Sequence, residues 1–282
     1  MKIDSLQSRI DKIMHEQNNR SISEFERYSP FEMQYILYDT FGEKSPINLT
    51  EVTESDYKTI PILNQARFLI ELLYKQGEIK LTPKGFLPTK IVSEMYSQGF
   101  LKEELIESGI SKLCKESDSI TITLTRILLE LSGIVKKQNG KLSLTKNGKK
   151  SLDSSHKILY LILTAFGTKF NWAFFDRYGE NNIGQLGFGF TLILLSKYGK
   201  DKKIDTFYAD KYFRAFPSLI KSLENPRVET VERQEAVRCY SLRSFDRFLD
   251  YFGVINIEEE KRLSSDKYIS KTEIFDKLIT CR

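Results

Sequence analysis

Apolar residues recur at Ile3, Leu6, Ile10 and Ile13 with polar residues between them, a single-face spacing that predicts a first helix over 2–19. In SPFEMQYILYDTFG, Ser29 stands at an N-cap, Pro30 at the first helical position, and the apolar run stops at Gly42, so a second helix is expected. Residues 53–58 read as a short helix or a turn. Pro61 opens a helix carrying Ala66, Phe68, Leu69, Leu72 and Leu73, which runs to Gly77.

After Gly77 the period changes. GEIKLTPKGFLPTKIVSEMY predicts a short strand over 79–81, a turn at Thr82, Pro83 and Gly85, and another helix. The same grammar returns after Gly133, where IVKK turns at Asn139-Gly140 and KLSL runs into Thr145, Asn147, Gly148 and a helix. Leu81-Thr82 and Leu144-Thr145 are each followed by Gly three residues after the Thr, which reads as a repeat. A looser third copy runs from a helix ending near Gly253, through a strand over 254–257 and a charged loop, to a return strand near Tyr268 and Ile269.

These segments predict a mainly α protein of tandem winged-helix-like modules with short β-hairpin wings and a helical insertion. The expected divisions are 1–97 for N-terminal helices and a first module, 98–155 for a second, 156–225 for the insertion and 226–282 for the third. The longest apolar stretch, 186–195, is far too short to span a bilayer and reads as a buried helix. No membrane association is expected.

The net charge of +5 is unevenly spread. Residues 1–60 carry 7 basic and 11 acidic side chains, residues 61–150 carry 15 and 9, and the rest carry 21 and 18. The positive excess begins where the first hairpin-like motif does. Cys114, Cys239 and Cys281 are too widely spaced for a disulfide framework, which points to a reducing, cytoplasmic setting.

A helix ending in Gly-Ile-Val, a hairpin with Asn139-Gly140, and Leu144-Thr145-x-x-Gly148 before a basic helix resemble the wing region of winged helix-turn-helix domains. The resemblance covers about 25 residues per copy. It implies a recognition helix over 122–132 for the DNA major groove and a wing over 134–144 that touches phosphates. FNWAFFDRYGE, FYADKYF and AFPSLI resemble segments of bacterial multi-domain proteins without an assigned activity.

Candidate nucleic-acid contacts follow. In the second module they are Arg126 on the helix, with Lys136, Lys137, Lys141, Lys146, Lys149 and Lys150 on the hairpin and the helix after it. In the third module they are Arg238, Arg243 and Arg247, with Lys261, Arg262 and Lys271 along the wing edge. Double-stranded DNA is the expected partner, ahead of RNA. The rival readings are a protein-interaction scaffold, with a protein partner or self-association through the aromatic-rich helices, and an enzyme.

Little in the chain points to catalysis. The two histidines, His15 and His156, adjoin neither a cysteine nor a paired acidic motif. There is no CxxC or HExxH, and the glycines at 184, 187 and 189 lack the lysine of a phosphate loop. No catalytic residue, metal or cofactor is assigned.

Overall fold

Caps and turn residues set where the elements begin and end. The computed structural model describes residues 2–174, 176–222, 229–259 and 266–282. The first fifty residues carry α1 (Lys2–Asn18), α2 (Pro30–Tyr38) and β1 (Ile47–Leu49). At the start of α2, Ser29 Oγ accepts from the Glu32 amide at 3.2 Å and the Glu32 carboxylate accepts from the Ser29 amide at 2.7 Å. That reciprocal capping satisfies two amides the helix itself leaves unpaired.

The middle of the chain holds α3 (Glu54–Tyr57), α4 (Pro61–Gln76), β2 (Glu78–Lys80), α5 (Thr89–Ser97), α6 (Glu104–Glu107) and α7 (Ile120–Leu131). It continues with β3 (Val135–Gln138), β4 (Lys141–Leu144), α8 (Lys146–Lys149) and α9 (Ser155–Thr168). The last part holds α10 (Phe188–Tyr198), β5 (Lys203–Ile204), α11 (Asp205–Ala215) and α12 (Glu229–Ser241). A π-helical turn, Leu242–Leu249, extends α12, and β6 (Ile255–Glu259), β7 (Lys267–Lys271), α13 (Glu273–Leu278) and β8 (Ile279–Cys281) complete the described fold. The protein is thus mainly helical with small antiparallel sheets.

The chain divides into two compact units rather than along the four expected segments. Unit I comprises 1–50, 172–247 and 255–282, and unit II comprises 51–171 and 248–254.

In unit II, α4 starts with Pro61 at its first position and stops at Gly77, whose φ of +78° suits glycine. Its Leu63, Ala66, Leu69, Ile70 and Leu73 are buried, as are Ile122, Leu124, Leu128 and Leu129 of α7. Strands β3 and β4 form a hairpin whose turn residues, Asn139 and Gly140, have φ of 50° and 69°. Two successive positive φ values match the right-handed twist of the flanking strands.

Strand β4 is central and pairs on its other side with β2, Ile79 lying opposite Leu142. The two hairpin-like motifs that read as separate modules are therefore strands of one sheet. A three-residue strand such as β2 has no return strand of its own, and its backbone groups are satisfied by β4. The paired glycines also differ in role. Gly85 takes φ of +79° in a turn, whereas a Cβ on Gly148 would lie 2.0 Å from the Ile134 carbonyl oxygen. Residues 248–254 complete this core, where Phe248 stacks on Phe166 at 5.1 Å and the Tyr251 carbonyl accepts from the Ile62 amide at 3.0 Å.

In unit I, β1 pairs with β8, and β7 lies between β5 and β6. Helix α10 is buried from Phe188 through Leu195, as its uninterrupted apolar run requires. Tyr212 stacks on Tyr240 at 4.4 Å, and Tyr208 meets Phe245 edge-on at 5.5 Å. The segment 156–225, expected to be all helical, contains β5. Two residues leave no alternation to read.

The two three-stranded sheets share one construction. Each takes its first strand from between two helices, returns after further helical structure with a hairpin, and places the hairpin's second strand in the middle. Among the described residues, no helix is long and apolar enough to cross a membrane.

Candidate nucleic-acid interface

The sheet of unit II has one buried and one exposed face because its strands alternate. Ile79, Val135, Leu142 and Leu144 are buried, and Glu78, Lys80, Lys136, Gln138 and Lys141 are exposed. The register brings the exposed groups into two rows. Glu78 and Lys136 flank Ser143, while Lys80 and Gln138 flank Lys141. Two ammonium groups, Lys80 and Lys141, thus occupy directly opposite positions of neighbouring strands, a destabilising arrangement for like charges. Lys141 also forms an ion pair with Glu78.

Lys137, in register with Leu142, is exposed but lies on the opposite face. Lys136 donates to Gln138 Oε1 at 3.3 Å, and Lys137 donates to the Gly85 carbonyl at 3.0 Å. Lys146 and Lys149 on α8, and Lys150 at its end, are exposed. Thr145 starts that turn, its Oγ1 accepting from the Gly148 amide at 2.9 Å. Lys80 escaped the sequence reading because Glu-Ile-Lys is too short to show alternation; its signal was the buried Ile79 between two charges.

The expected recognition helix needs correction. Thr121 through Arg126 of α7 are buried, so this helix presents no polar face to a groove. Arg126 itself is only 7% exposed, its Nε donating to Glu116 at 2.6 Å and its Nη1 to Glu130. Burial would lower its pKa, but the two carboxylates raise it above the ordinary arginine value. The N-terminus of α7 is also filled. Glu103 accepts from the Ile120 and Thr121 amides at 3.2 and 3.1 Å and from the Ser119 hydroxyl at 2.5 Å. An internal carboxylate occupies the place where a helix end attracts anions.

The arginines of the third expected module also separate. Arg243 is fully buried and donates to Asp176, to Asn181 Oδ1 at 2.7 Å and to the Gly179 carbonyl at 3.2 Å. It is a core residue, not a phosphate contact. Arg247 is half-buried and donates to the Phe174 carbonyl at 2.7 Å. Lys271 pairs with Asp276 at 2.6 Å. Among the described residues of this set only Arg238 is exposed, and it lines a cavity of about 630 Å³ with Tyr178, Asp205, Arg233, Asp246 and Lys267. Lys261 and Arg262 lie outside the described residues.

Among the described residues no cluster of His, Cys, Asp and Glu is arranged to hold a metal. No curated protein and no solved structure matches the chain. Residues 58–157, which run from just before α4 into α9 and enclose the whole β2–β4–β3 sheet, match the model of the Y4jL N-terminal domain.

Proposed function

We propose that this is a noncatalytic nucleic-acid-binding protein that grips the phosphate backbone, of DNA before RNA, through the exposed face of the β2–β4–β3 sheet. The observation that carries this reading is the juxtaposition of Lys80 and Lys141 across the ladder, with Lys136 on the same face. Like charges held opposite each other cost stability in the free protein, and a polyanion laid over them removes that cost. The order of helix, strand, two or three helices and hairpin, with the last strand in the middle, supports reading each three-stranded sheet as a winged-helix-like wing, two in tandem. With α7 buried, backbone contact rather than base reading is the mechanism, so binding depends on charge and little on sequence.

Fluorescence anisotropy against duplex DNA, single-stranded DNA and duplex RNA over a salt series tests it. Duplex DNA is expected to bind, with affinity falling steeply as salt rises. Reversing Lys80, Lys136 and Lys141 to Glu is expected to remove about three phosphate contacts' worth of salt dependence. Absence of binding to all three probes at low salt would overturn the proposal.

A second reading, a protein-docking scaffold, is favoured by one feature of unit I. Phe31, Tyr35 and Tyr38 follow one face of α2, with Phe31 and Tyr38 exposed and Lys44 5.8 Å from the Tyr35 ring centroid. Exposed aromatics flanked by a cation suit a protein surface. Retention of binding to a partner protein by the triple lysine variant would favour this reading.

A further inference from the structure

Unit I holds a cavity of about 630 Å³, well within the size range of small-molecule sites. One face of α12 forms much of its wall, because Arg233, Gln234, Val237, Arg238 and Ser241 recur at helical spacing. Asp205 from the first turn of α11, Asp246 from the π-helical turn and Lys267 from β7 line it too. Tyr178, Val237 and Leu242 add half-buried apolar surface.

The charges on this wall do not cancel. Asp210 pairs with Arg233 at 2.7 Å, and Asp246 pairs with Lys267. Asp205, Asp266 and Arg238 also line the cavity and have no ion-pair partner among the described residues. Asp205 is only 8% exposed, and its Oδ2 accepts from the Ser241 hydroxyl at 2.5 Å. Its Oδ1 accepts from no described residue. A buried carboxylate has lone pairs on both oxygens, and leaving one side unpaired is costly. The start of α11 offsets part of that cost through the helix dipole but supplies no hydrogen bond to Oδ1. Burial raises the Asp246 carboxyl, Lys267 opposes that, and the charges of Glu259 and Asp205 add to it. This end of the cavity therefore carries a negative potential that a ligand cation relieves. Arg238 precedes Ser241 by three residues on the same face of α12, so an unpaired guanidinium stands about one helical turn away.

Two unpaired acids and one unpaired base are complemented by a ligand with two cations and one anion. A phosphate-bearing ligand meets the acids, and a simple diamine leaves Arg238 without a partner. We propose that the cavity binds a free basic amino acid, with an ammonium group at Asp205 Oδ1 and the carboxylate at Arg238. This site belongs to unit I and is independent of the nucleic-acid reading, which rests on unit II.

Isothermal titration calorimetry of the full chain with L-lysine, up to about 10 mM ligand, tests this. L-lysine is expected to bind. L-norleucine lacks the side-chain ammonium and cadaverine lacks the carboxylate, so each is expected to bind about tenfold more weakly or worse. Arg238→Gln is expected to weaken L-lysine about tenfold without weakening cadaverine. Because Arg238 is exposed, that variant keeps the fold, which the fluorescence of the buried Trp172 verifies. Asp205→Asn keeps an acceptor for Ser241 and is expected to weaken both ligands about tenfold. Absence of heat with L-lysine, together with an unchanged Tm at the same concentration, overturns the proposal. So does cadaverine binding as tightly as L-lysine, which would leave an acidic patch alone. Wild-type affinity for L-lysine in Arg238→Gln would overturn the carboxylate anchor and the proposal with it.

Discussion

Arg243 and Asp176 form an ion pair from which solvent is wholly excluded, both side chains being fully buried. The π-helical turn after α12 delivers the guanidinium, and the irregular segment before α10 supplies Asp176 together with the carbonyls of Gly179, Asn181 and Ile183. Such a cluster holds because all three guanidinium nitrogens donate hydrogen bonds within it. Removing one partner strands the other charge in the core. Arg243→Met is therefore expected to cost unit I about 3–5 kcal/mol. Trp172, the single tryptophan, is buried in the same unit, so its fluorescence in a urea titration follows this loss.

A second, half-buried tie in unit I gives a pH dependence. Burial alone would raise the Glu26 carboxyl, but the hydrogen bonds from Lys211 and Tyr198, at 2.7 and 2.6 Å, hold it below the ordinary glutamate value. A carboxyl lowered in the folded state adds stability above its unfolded pKa and loses it as pH falls through the folded value. Unit I is thus expected to weaken between about pH 5 and pH 3. Glu26→Gln should be less stable than wild type at pH 7 and lose less on acidification, measured as the urea midpoint at the two ends of that range.

Local chemistry was legible in the sequence, and pairing between distant residues was not. The Ser29 cap, the stops at Gly77 and Gly133 and the Asn139-Gly140 turn depend on neighbours within a few positions and stand where their residues imply, and of the apolar run 186–195 the helix takes 188–195 and buries it. The partnership of β2 with β4 bridges the 60 residues between Lys80 and Lys141, and nothing in Glu-Ile-Lys announces it. Charge misled for the same reason. Arg126 and Arg243 are as basic in sequence as Lys141, yet Glu116 and Asp176 take them into the core, and only the fold brings those partners together. The exposed lysines of the β3–β4 hairpin were readable because a hairpin with its turn is itself a local feature, whereas Lys80 on the distant β2 was not.

The close approach of α8 to Ile134, the residue before β3, predicts a sharp contrast between adjacent positions. A methyl group at 148 would overlap the Ile134 carbonyl oxygen, which is backbone and cannot rotate away. Gly148→Ala is expected to cost about 1–3 kcal/mol. Lys149→Ala, one residue on and exposed, should stay within about 0.5 kcal/mol of wild type. Calorimetric melting of the two variants side by side tests the difference, and equal melting temperatures would contradict the packing described for α8.

The Lys80–Lys141 opposition predicts that binding and stability move in opposite directions. Replacing Lys80 by Glu converts a like-charge cross-strand pair into an attractive one, leaving Ile79 and the buried face untouched. The free protein should gain about 0.2–1 kcal/mol in the β2–β4 ladder, seen as slower amide hydrogen exchange at Ile79 and Leu142. Affinity for duplex DNA should fall at the same time, and the salt slope should shrink by about one phosphate contact. Lys80→Gln separates the two terms: it relieves the repulsion without adding attraction, so its stability should fall between wild type and Lys80→Glu. If Lys80→Glu leaves exchange unchanged while DNA affinity drops, the lysines are tolerated without cost and the stability argument for an anionic partner fails, even though the contact itself stands.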